Sequence, residues 1–313
     1  MTADYRHTPV LLAETLEALR LKPGMTVADG TLGGGGHAAR ICEAIGADGT
    51  FVGIDRDPEA IAAARETLEA YPCRKNFENR NFEEIADVLR ERGIGGLDGG
   101  LLDLGVSSRQ LDEPSRGFSY MHDGPLDMRM DGAEGLTARD VVNTYGEEAL
   151  TRIFYAYGEE RWAKRIAAFL VKERAARPIE TTDDLVRVIK AAVPVGARQG
   201  GPHPAKRVFQ AIRIEVNDEL GSLERALGAW IDALRSGGRL AVITFHSLED
   251  RIVKDAFRGR EDPCICPKDI PACVCGRQAD ARRVTKKPVL PGTEETEANP
   301  RARSAKLRVI EKL

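Results

Sequence analysis

The sequence lacks the features that would place a chain in or across a membrane. No apolar run approaches the roughly 18–20 residues that a membrane-spanning helix needs. The first residues, Met-Thr-Ala-Asp-Tyr-Arg-His, also lack the basic and then apolar pattern of a secretory signal peptide. These absences predict a cytoplasmic protein without a membrane partner.

An excess of basic side chains is absent as well. The chain has 46 Lys and Arg against 49 Asp and Glu, a formal net charge of −3, and such a total argues against a nucleic-acid partner. The charge is distributed unevenly, however. Residues 1–160 hold 16 basic and 29 acidic side chains, whereas residues 161–213 hold 12 and 4, and residues 258–313 hold 13 and 8. The two basic segments are either solvated surfaces or surfaces that face a polyanion.

Disorder is excluded by the composition, because 42% of the 313 residues are apolar and 30% are charged. This content can form a sizeable core and a soluble surface. The length corresponds to two average domains, or to one large domain that carries an insertion.

Strand-like and helix-like patterns alternate through the first hundred residues. Such alternation predicts a parallel, doubly wound, Rossmann-like α/β sheet. Strand character returns near residues 239–245 and 306–310. The predicted early strands cover residues 26–29, 50–55, 76–81 and 98–104, and the predicted helices cover residues 11–19, 38–45, 58–70 and 82–92.

This alternation stops after about residue 105. A polar, glycine-rich loop is followed by helical segments with no clear strand between them, which predicts an inserted all-α domain. We expect residues 1–110 and 218–313 to form the sheet domain and residues 111–217 to form the insertion. The predicted helices of the insertion cover residues 137–145, 147–157, 161–176, 181–192 and 204–217.

A glycine-rich turn, Gly30 to Gly36, follows the first strand, and Asp55 ends the second strand. Glycines let a ligand approach the backbone closely, the next helix presents free N–H groups, and the acid suits ribose hydroxyls. Nicotinamide enzymes and S-adenosylmethionine (SAM) methyltransferases share this combination. The dinucleotide pattern G-x-G-x-x-G/A fits Gly33, Gly35 and Ala38, so both cofactors remain open, as does a tight turn without a ligand.

Cysteine is scarce, but four of the six cysteines are clustered. Cys264, Cys266, Cys273 and Cys275 form the pattern C-x-C-x6-C-x-C. Four thiols this close can bind a structural zinc ion, although the spacing departs from the usual C-x2–4-C pairs. Reduced thiols without a metal, and disulfide or redox use, are the alternatives.

Six segments spread over the chain resemble the signature sequences of the RsmH (MraW) family, and a shorter one begins at His7. The resemblance therefore extends over essentially the whole chain. The six segments are Asp29–His37 (DGTLGGGGH), Leu101–Ser108 (LLDLGVSS), Arg116–Asp131 (RGFSYMHDGPLDMRMD), Lys206–Asn217 (KRVFQAIRIEVN), Thr244–Arg251 (TFHSLEDR) and Asn299–Arg308 (NPRARSAKLR).

The resemblance implies a SAM-dependent methyltransferase that acts on the exocyclic N4 of a cytidine in the decoding region of 16S rRNA. It implies a class I methyltransferase core with an inserted helical domain for substrate recognition, and a partner that is RNA within a small-subunit particle rather than DNA. A non-catalytic ribosome-assembly factor and a nicotinamide oxidoreductase are the alternatives. The family's SAM contacts match Gly35, Gly36, His37, Asp55, Phe82, Asp103 and Gln110.

The chemistry of these residue types agrees with that implication. Asp103 ends the fourth strand, where ligands bind in open α/β sheets, and can face the sulfonium or the amine of SAM. Phe82 offers an apolar face to adenine, or belongs to the core. Many amino-methyltransferases accept the proton of the amine at an Asp/Asn/Ser-Pro-Pro-aromatic motif, which the stretch Asp103–Ser108 lacks. The proton acceptor therefore stays unassigned between Asp103 and His246.

Candidate RNA contacts lie in the predicted insertion and near the C-terminus. Phe118 and Tyr120 can stack on a splayed base or pin their loop to a core. Basic side chains in both basic segments can contact phosphates. They are Lys164, Arg165, Lys206, Arg207, Arg213, Arg301, Arg303 and Lys306.

Overall fold

A computed structural model describes residues 9–132, 135–198, 203–267 and 273–313. Of the family-like segment that begins at His7, residues 7 and 8 lie outside this part. The chain divides into two compact units. We call Met1–Gly105 with Leu220–Leu313 the sheet unit and Val106–Glu219 the helical unit. These bounds differ by a few residues from the expected domain boundaries.

The strands of the sheet unit form one sheet in the order β3-β2-β1-β4-β5-β7-β6. Strands β1 to β5 are parallel, and β7 runs antiparallel to both β5 and β6. The predicted α/β class with a doubly wound sheet is confirmed. The strands are β1 Thr26–Asp29, β2 Thr50–Asp55, β3 Arg74–Asn79, β4 Leu97–Asp103, β5 Leu234–Thr244, β6 Ala281–Arg283 and β7 Lys306–Lys312.

Helices surround the sheet and build the helical unit. None of those in the described residues is long and apolar enough to cross a membrane. They are α1 Leu12–Leu19, α2 Gly36–Ile45, α3 Pro58–Leu68, α4 Ile85–Glu91, α5 Ser108–Asp112, α6 Ala138–Thr144, α7 Glu147–Ala156, α8 Ala163–Ala176, α9 Thr182–Ala192, α10 Ala205–Asn217, α11 Glu219–Asp232, α12 Ser247–Glu261 and α13 Thr293–Ala298.

Both faces of the sheet are buried. Successive strand residues point to opposite faces, and residues of both kinds lie in apolar clusters. On β1, Val27 packs into the apolar cluster that includes residues of α1, α2 and α3. The next residue, Ala28, packs into the cluster formed with α4, α11 and α12. Leu101 and Leu102 on β4 divide in the same way. The sheet unit is therefore a three-layer α/β/α structure.

The third strand ends two residues earlier than predicted. Asn81 caps the 3₁₀ turn Phe82–Glu84, because its side chain accepts a hydrogen bond from Glu83 N at 3.2 Å. Glu84 Oε1 accepts one from Asn81 N at 3.1 Å in return. Such a capping box ends the extended segment before Asn81 and starts the next helix.

The helical unit packs α6 to α10 around its own apolar core, which includes Phe154, Ile166, Leu185 and Ile212. Pro125 and Thr181 form an isolated antiparallel bridge in the described part of this unit. The loop before α6 is tied to α10 through Asn217. Asn217 Oδ1 accepts a hydrogen bond from Met130 N, and its Nδ2 donates to Met128 O, both at 2.8 Å. The insertion thus has a core independent of the sheet.

Candidate functional site

The neighbouring strands β1 and β4 mark the point where the strand order changes direction. Strands β2 and β3 lie on the β1 side of this point, and strands β5, β7 and β6 lie on the β4 side. Open α/β sheets bind ligands at the carboxyl ends of the strands that flank such a switch point. The glycine-rich turn begins here, and Gly30 N donates to Leu101 O at 2.9 Å.

Three carboxyl groups meet at this edge, and we call them the carboxyl cluster. Asp29 ends β1, Asp103 ends β4, and Glu249 lies in the first turn of α12, just beyond β5. Asp29 and Glu249 are buried, with 1% and 2% exposed. The Thr31 hydroxyl links two of these residues, because it accepts from Asp103 N at 2.6 Å and donates to Asp29 Oδ1 at 3.4 Å.

Burial makes the two aspartates of the carboxyl cluster harder to ionise. It raises the pKa of Asp29 to about 7, partly opposed by the hydrogen bond from Thr31 N. The pKa of Asp103 lies well above its ordinary value, first because of desolvation and then because of the charges of Asp29 and Glu249. About a quarter of the Asp103 side chain is exposed, yet its Oδ1 is buried and has no hydrogen-bond partner among the described residues. A ligand with a positive charge or a donor would satisfy that oxygen.

His37 lies beside Asp103 in the first turn of α2. Its Nε2 lies 3.1 Å from Val10 O, and a carbonyl can only accept, so Nε2 carries the proton. Burial lowers the pKa of His37 to about 4, so the ring is neutral near pH 7. Its unprotonated Nδ1 then faces Asp103 Oδ2 at 3.7 Å.

Asp55 holds the glycine-rich turn against the end of β2. Its Oδ2 accepts a hydrogen bond from Gly33 N at 2.8 Å, and its Oδ1 accepts one from Asp57 N at 2.9 Å. Burial raises the pKa of this carboxyl, although both N–H groups act in the opposite direction. Each carboxylate oxygen has a second lone pair, so Asp55 can still accept from a ligand hydroxyl.

Gly35 and Gly36 have packing reasons of their own. Gly35 has φ of +83°, and a Cβ there would lie 3.4 Å from Ala64 Cα. At Gly36 a Cβ would lie 2.6 Å from Pro9 Cγ. Both positions therefore require glycine to form the turn, whether or not the residues also contact a cofactor.

Phe82 is half-buried at the start of its 3₁₀ turn. It packs against the core cluster that contains Trp230, and its carbonyl accepts from Trp230 Nε1 at 2.9 Å. Gln110 belongs to the helical unit, where it is buried in α5 and shares a capping box with Ser107. Its assignment to the cofactor stays a prediction.

His246 has a structural role as the N-cap of α12. Its Nδ1 accepts a hydrogen bond from Glu249 N at 3.4 Å. Its Nε2 lies 3.2 Å from Glu249 Oε1 but without the alignment of a hydrogen bond. Glu249 Oε2 in turn accepts from Phe245 N and His246 N. In the neutral ring only Nδ1 then has a lone pair that could accept a proton, and that lone pair already accepts the hydrogen bond from Glu249 N.

One of the two predicted base-stacking residues is misplaced for that role. Phe118 is only 5% exposed and belongs to the core of the helical unit, so its ring offers no free face to a base. This burial favours the loop-pinning alternative for Phe118, because an apolar ring gains more from the core than from solvent. Tyr120 is half-buried and stacks on His203, with ring centroids 4.8 Å apart.

The predicted phosphate-binding residues differ in how far they are engaged. Lys206 and Arg207 are exposed at the start of α10, and Arg207 Nη1 donates to Glu159 O at 3.0 Å. Arg213, in contrast, is paired with Glu219 through two hydrogen bonds of 2.7 and 2.9 Å. That pair makes Arg213 part of the scaffold of α10.

The remaining basic candidates are also of two kinds. Arg165 donates to Ala192 O at 2.6 Å, and Lys306 lies 3.2 Å from Asp250 Oδ2, so both contribute to the scaffold. Lys164, Arg301 and Arg303 are exposed.

Sequence reasoning did not select Asp29, Thr31 or Glu249 as functional residues. A signal for Asp29 was present, because an acid at the end of a buried strand just before a glycine-rich turn matches the position of Asp103. Glu249 follows His246 by three residues, which is the spacing of a capping box. Thr31 has no comparable signal, since its bridging hydroxyl depends on the pairing of β1 with β4.

The four clustered cysteines converge in the structure. The sulfur atoms of Cys264, Cys266, Cys273 and Cys275 all lie within 4.8 Å of one another. Backbone N–H groups of Arg277 and Ile265 lower the pKa of the Cys275 thiol to about 6. Cys42 and Cys73 are free and buried, as expected for small apolar residues.

Comparisons with known proteins agree on one family. The family described as the MraW methylase family matches residues 4–313. "Ribosomal RNA small subunit methyltransferase H" of Symbiobacterium thermophilum is 56% identical over 309 residues, which is 99% of this chain and 97% of that protein. The protein of the same name from Clostridioides difficile is 53% identical over 310 residues, covering 99% and 100% of the two chains.

The solved structure of a "putative rRNA-methylase" from Clostridium thermocellum aligns with a TM-score of 0.48 and 13% identity, over 98% of this chain and 100% of that one. Because the family match extends over nearly the whole sequence, it favours a methylase over a nicotinamide oxidoreductase. With its doubly wound sheet and antiparallel last strands, the protein has the class I SAM-methyltransferase fold, and the chain belongs to the MraW (RsmH) methylase family.

Proposed function

We propose that this chain is a SAM-dependent methyltransferase that modifies the exocyclic N4 of a cytidine in the decoding region of 16S rRNA. We propose further that its substrate is the small-subunit particle in the cytoplasm. The names of the relatives support a ribosomal RNA substrate. The observation that carries the chemistry is the carboxyl cluster at the switch point, where the buried Asp103 Oδ1 has no hydrogen-bond partner among the described residues.

The groups at this edge fit SAM by their chemistry. Asp55 can accept hydrogen bonds from ribose hydroxyls, Phe82 can pack on adenine, and Asp103 can face an ammonium or sulfonium charge. The two negative charges on the pyrophosphate of a nicotinamide cofactor would find no cation to pair with among Asp29, Asp103 and Glu249, whereas the positive charge of SAM would favour the ionised forms of Asp29 and Asp103. Charge complementarity therefore supports SAM as the cofactor.

SAM supplies, when bound, an electrophilic methyl group on sulfur, which is already a good leaving group. The protein then has two tasks, which are to hold the cytosine amine in line and to accept the proton that the amine loses. We assign the second task to Asp103. A bound cation favours the ionised form of Asp103, which can accept a proton, whereas His246 Nδ1 is occupied as a helix cap.

The proposed RNA contacts lie in the helical unit. Lys206 and Arg207 are exposed on the first turn of α10, in the basic stretch of residues 161–213. Exposed cations of this kind hold a phosphate backbone without reading its sequence. The stacked pair of Tyr120 and His203 is the aromatic surface that we propose for a base.

The test is to map the methylated nucleoside. Purified protein is incubated with isotope-labelled SAM and small subunits from a strain that lacks this modification, and the rRNA is digested and analysed by mass spectrometry. We expect labelled N4-methylcytidine, and free 16S rRNA should accept less label than assembled subunits. The Asp103→Asn variant serves as the inactive control.

Two results would overturn the proposal at different levels. Labelled 5-methylcytidine would contradict transfer to the exocyclic amine, since that product forms when carbon 5 of the ring attacks the methyl group. Absence of label from rRNA under conditions where SAM binds would contradict catalysis and favour the assembly-factor alternative.

A further inference from the structure

We infer that Cys264, Cys266, Cys273 and Cys275 form a structural Zn²⁺ site, which we call the cysteine cluster. This inference does not depend on the proposed function. The cluster lies between the end of α12 and the start of β6, whereas the carboxyl cluster lies at the ends of β1, β4 and β5.

The distances between the sulfur atoms match a tetrahedron around a metal ion. Cys273 Sγ lies 3.6 Å from Cys264 Sγ, 3.8 Å from Cys266 Sγ and 3.5 Å from Cys275 Sγ, and Cys275 lies 4.0 Å from Cys264. Zinc binds thiolate sulfur at about 2.3 Å, so the edges of an ideal tetrahedron measure about 3.8 Å. Four of the six sulfur–sulfur distances are thus close to the edge of such a tetrahedron, and all four atoms lie within 4.8 Å of one another.

The same distances argue against disulfides. A disulfide brings two sulfur atoms to about 2.05 Å and leaves the other pair separate. Here Cys273 is nearly equidistant from its three neighbours, and all four cysteines are free. Near-equal spacing is the arrangement that a shared ligand requires.

A backbone N–H group points at one of the sulfur atoms. Val274 N donates a hydrogen bond to Cys266 Sγ at 3.4 Å. Gly276, just after Cys275, has φ of +65°, a conformation that favours glycine where the chain turns after the last cysteine. Donors of this kind stabilise thiolates, and thiolate is the form of cysteine that binds metal.

The described residues of the segment that carries the cysteines form no apolar core. None of the described residues between Glu261 and Ala281 is buried. Its apolar side chains Ile265 and Val274 are 64% and 81% exposed. A chain segment without buried apolar surface needs another source of cohesion, and a bound metal provides it in small loops of this type.

The four sulfur ligands determine which metal ion fits the cysteine cluster and what role that ion can have. Four soft sulfur ligands with tetrahedral spacing suit zinc or iron, and a closed set of four protein ligands leaves no position for a substrate. We therefore assign zinc with a structural role, which is to fix the connection from α12 to β6.

The experiment measures metal in the full-length protein, purified without chelators or an affinity metal. We expect one zinc per chain by mass spectrometry, and loss of nearly all of it in Cys273→Ser. The matched control is Val274→Ser, which changes the exposed residue between two ligands and should retain the full zinc content. Zinc that persists in Cys273→Ser, or a wild-type protein that binds no zinc after reduction and incubation with ZnCl₂, would overturn the assignment.

Two further measurements keep the inference testable if Cys273→Ser folds poorly. Wild-type apoprotein loaded with Co²⁺ should show the intense visible bands of tetrahedral cobalt thiolate, and weak octahedral bands would contradict the geometry. A chelator should accelerate tryptic cleavage after the exposed Arg277 at least severalfold, and added zinc should reverse it. A purified protein that contains iron with visible thiolate absorption would overturn zinc as the ion.

Discussion

The sheet unit and the helical unit use charge in opposite ways. The sheet unit gathers Asp29, Asp103 and Glu249 at the ends of three parallel strands, where burial raises the pKa of the two aspartates. The helical unit places Lys206 and Arg207 on its surface, and it pairs Arg213 with Glu219. Burying a charged group costs free energy, and such a group interacts strongly with one nearby partner. An exposed charge costs little free energy, and many of them together attract a partner over a surface.

This contrast in burial determines which substitutions should have the largest effects. A buried acid interacts strongly with a single ligand charge, because little solvent lies between them. An exposed cation contributes little by itself, since salt and water screen it. The predicted effects therefore decrease from the carboxyl cluster through Asp55 to the surface of α10.

The largest effect is expected for Asp103→Asn. An amide cannot accept the proton of the cytosine amine, so kcat for methyl transfer should fall about 10²–10⁴-fold. The pKa of Asp103 is raised in the folded protein, so its ionisation opposes folding increasingly as the pH rises. The variant should therefore have a Tm at pH 8 at least equal to that of the wild type.

Single-turnover methyl transfer and thermal unfolding measure these two quantities. The matched control is Asp48→Asn, which removes an exposed acid from the same unit and should leave both unchanged. An Asp103→Asn variant that retains nearly full activity would mean that the proton leaves by another route.

A smaller effect is expected for Asp55→Ala. This change removes the acceptor for Gly33 N and for the ribose, and it frees the glycine-rich turn from β2. SAM affinity measured by calorimetry should fall about 10–100-fold, or roughly 1.4–2.7 kcal/mol. Asp55→Asn keeps an acceptor oxygen and should lose less. Equal affinities in all three proteins would exclude Asp55 from the cofactor site.

The smallest effect is expected for the double variant Lys206→Glu and Arg207→Glu. Binding to small subunits should weaken about tenfold at low salt, less at high salt, while SAM affinity stays unchanged. Lys22→Glu with Lys254→Glu is the matched control, because it changes the net charge equally at exposed positions of the sheet unit. A parallel loss of SAM affinity would show that the helical unit is not the separate RNA surface proposed here.

Local patterns predicted the order of the elements well. Strand β2 occupies the predicted residues 50–55, and α10 lies within one residue of its predicted start at residue 204. Asp55 and Asp103 could be selected as candidates because each is an acid at the end of a predicted strand. In a parallel sheet the carboxyl ends of the strands lie at the edge that binds ligands.

Pairing across the sheet was harder to predict. The contact of Thr31 with both Asp29 and Asp103 exists because β1 lies beside β4 rather than beside β3. The burial of Phe118 likewise depends on helices far along the chain, such as the one that contains Ile212. Sequence spacing showed the cysteine pattern, but only the fold brings the four sulfur atoms to near-equal distances.

Proton release on binding tests directly whether the carboxyl cluster receives the cationic part of SAM. Burial raises the pKa of Asp29 to about 7 and raises the pKa of Asp103 as well, and a nearby cation favours the ionised forms of both carboxyl groups. Calorimetry in buffers of different ionisation enthalpy should therefore show proton release, and SAM affinity should rise with pH by at most about tenfold per pH unit for each proton released.

Measurements between pH 5.5 and 7.5 avoid most of the titration of the SAM α-amine, which lies near pH 8. Asp103→Asn should reduce the number of protons released, and S-adenosylhomocysteine, which lacks the sulfonium charge, should release fewer than SAM. Wild-type binding of SAM without proton release, and with an affinity independent of pH, would contradict the assignment of the carboxyl cluster to the cofactor.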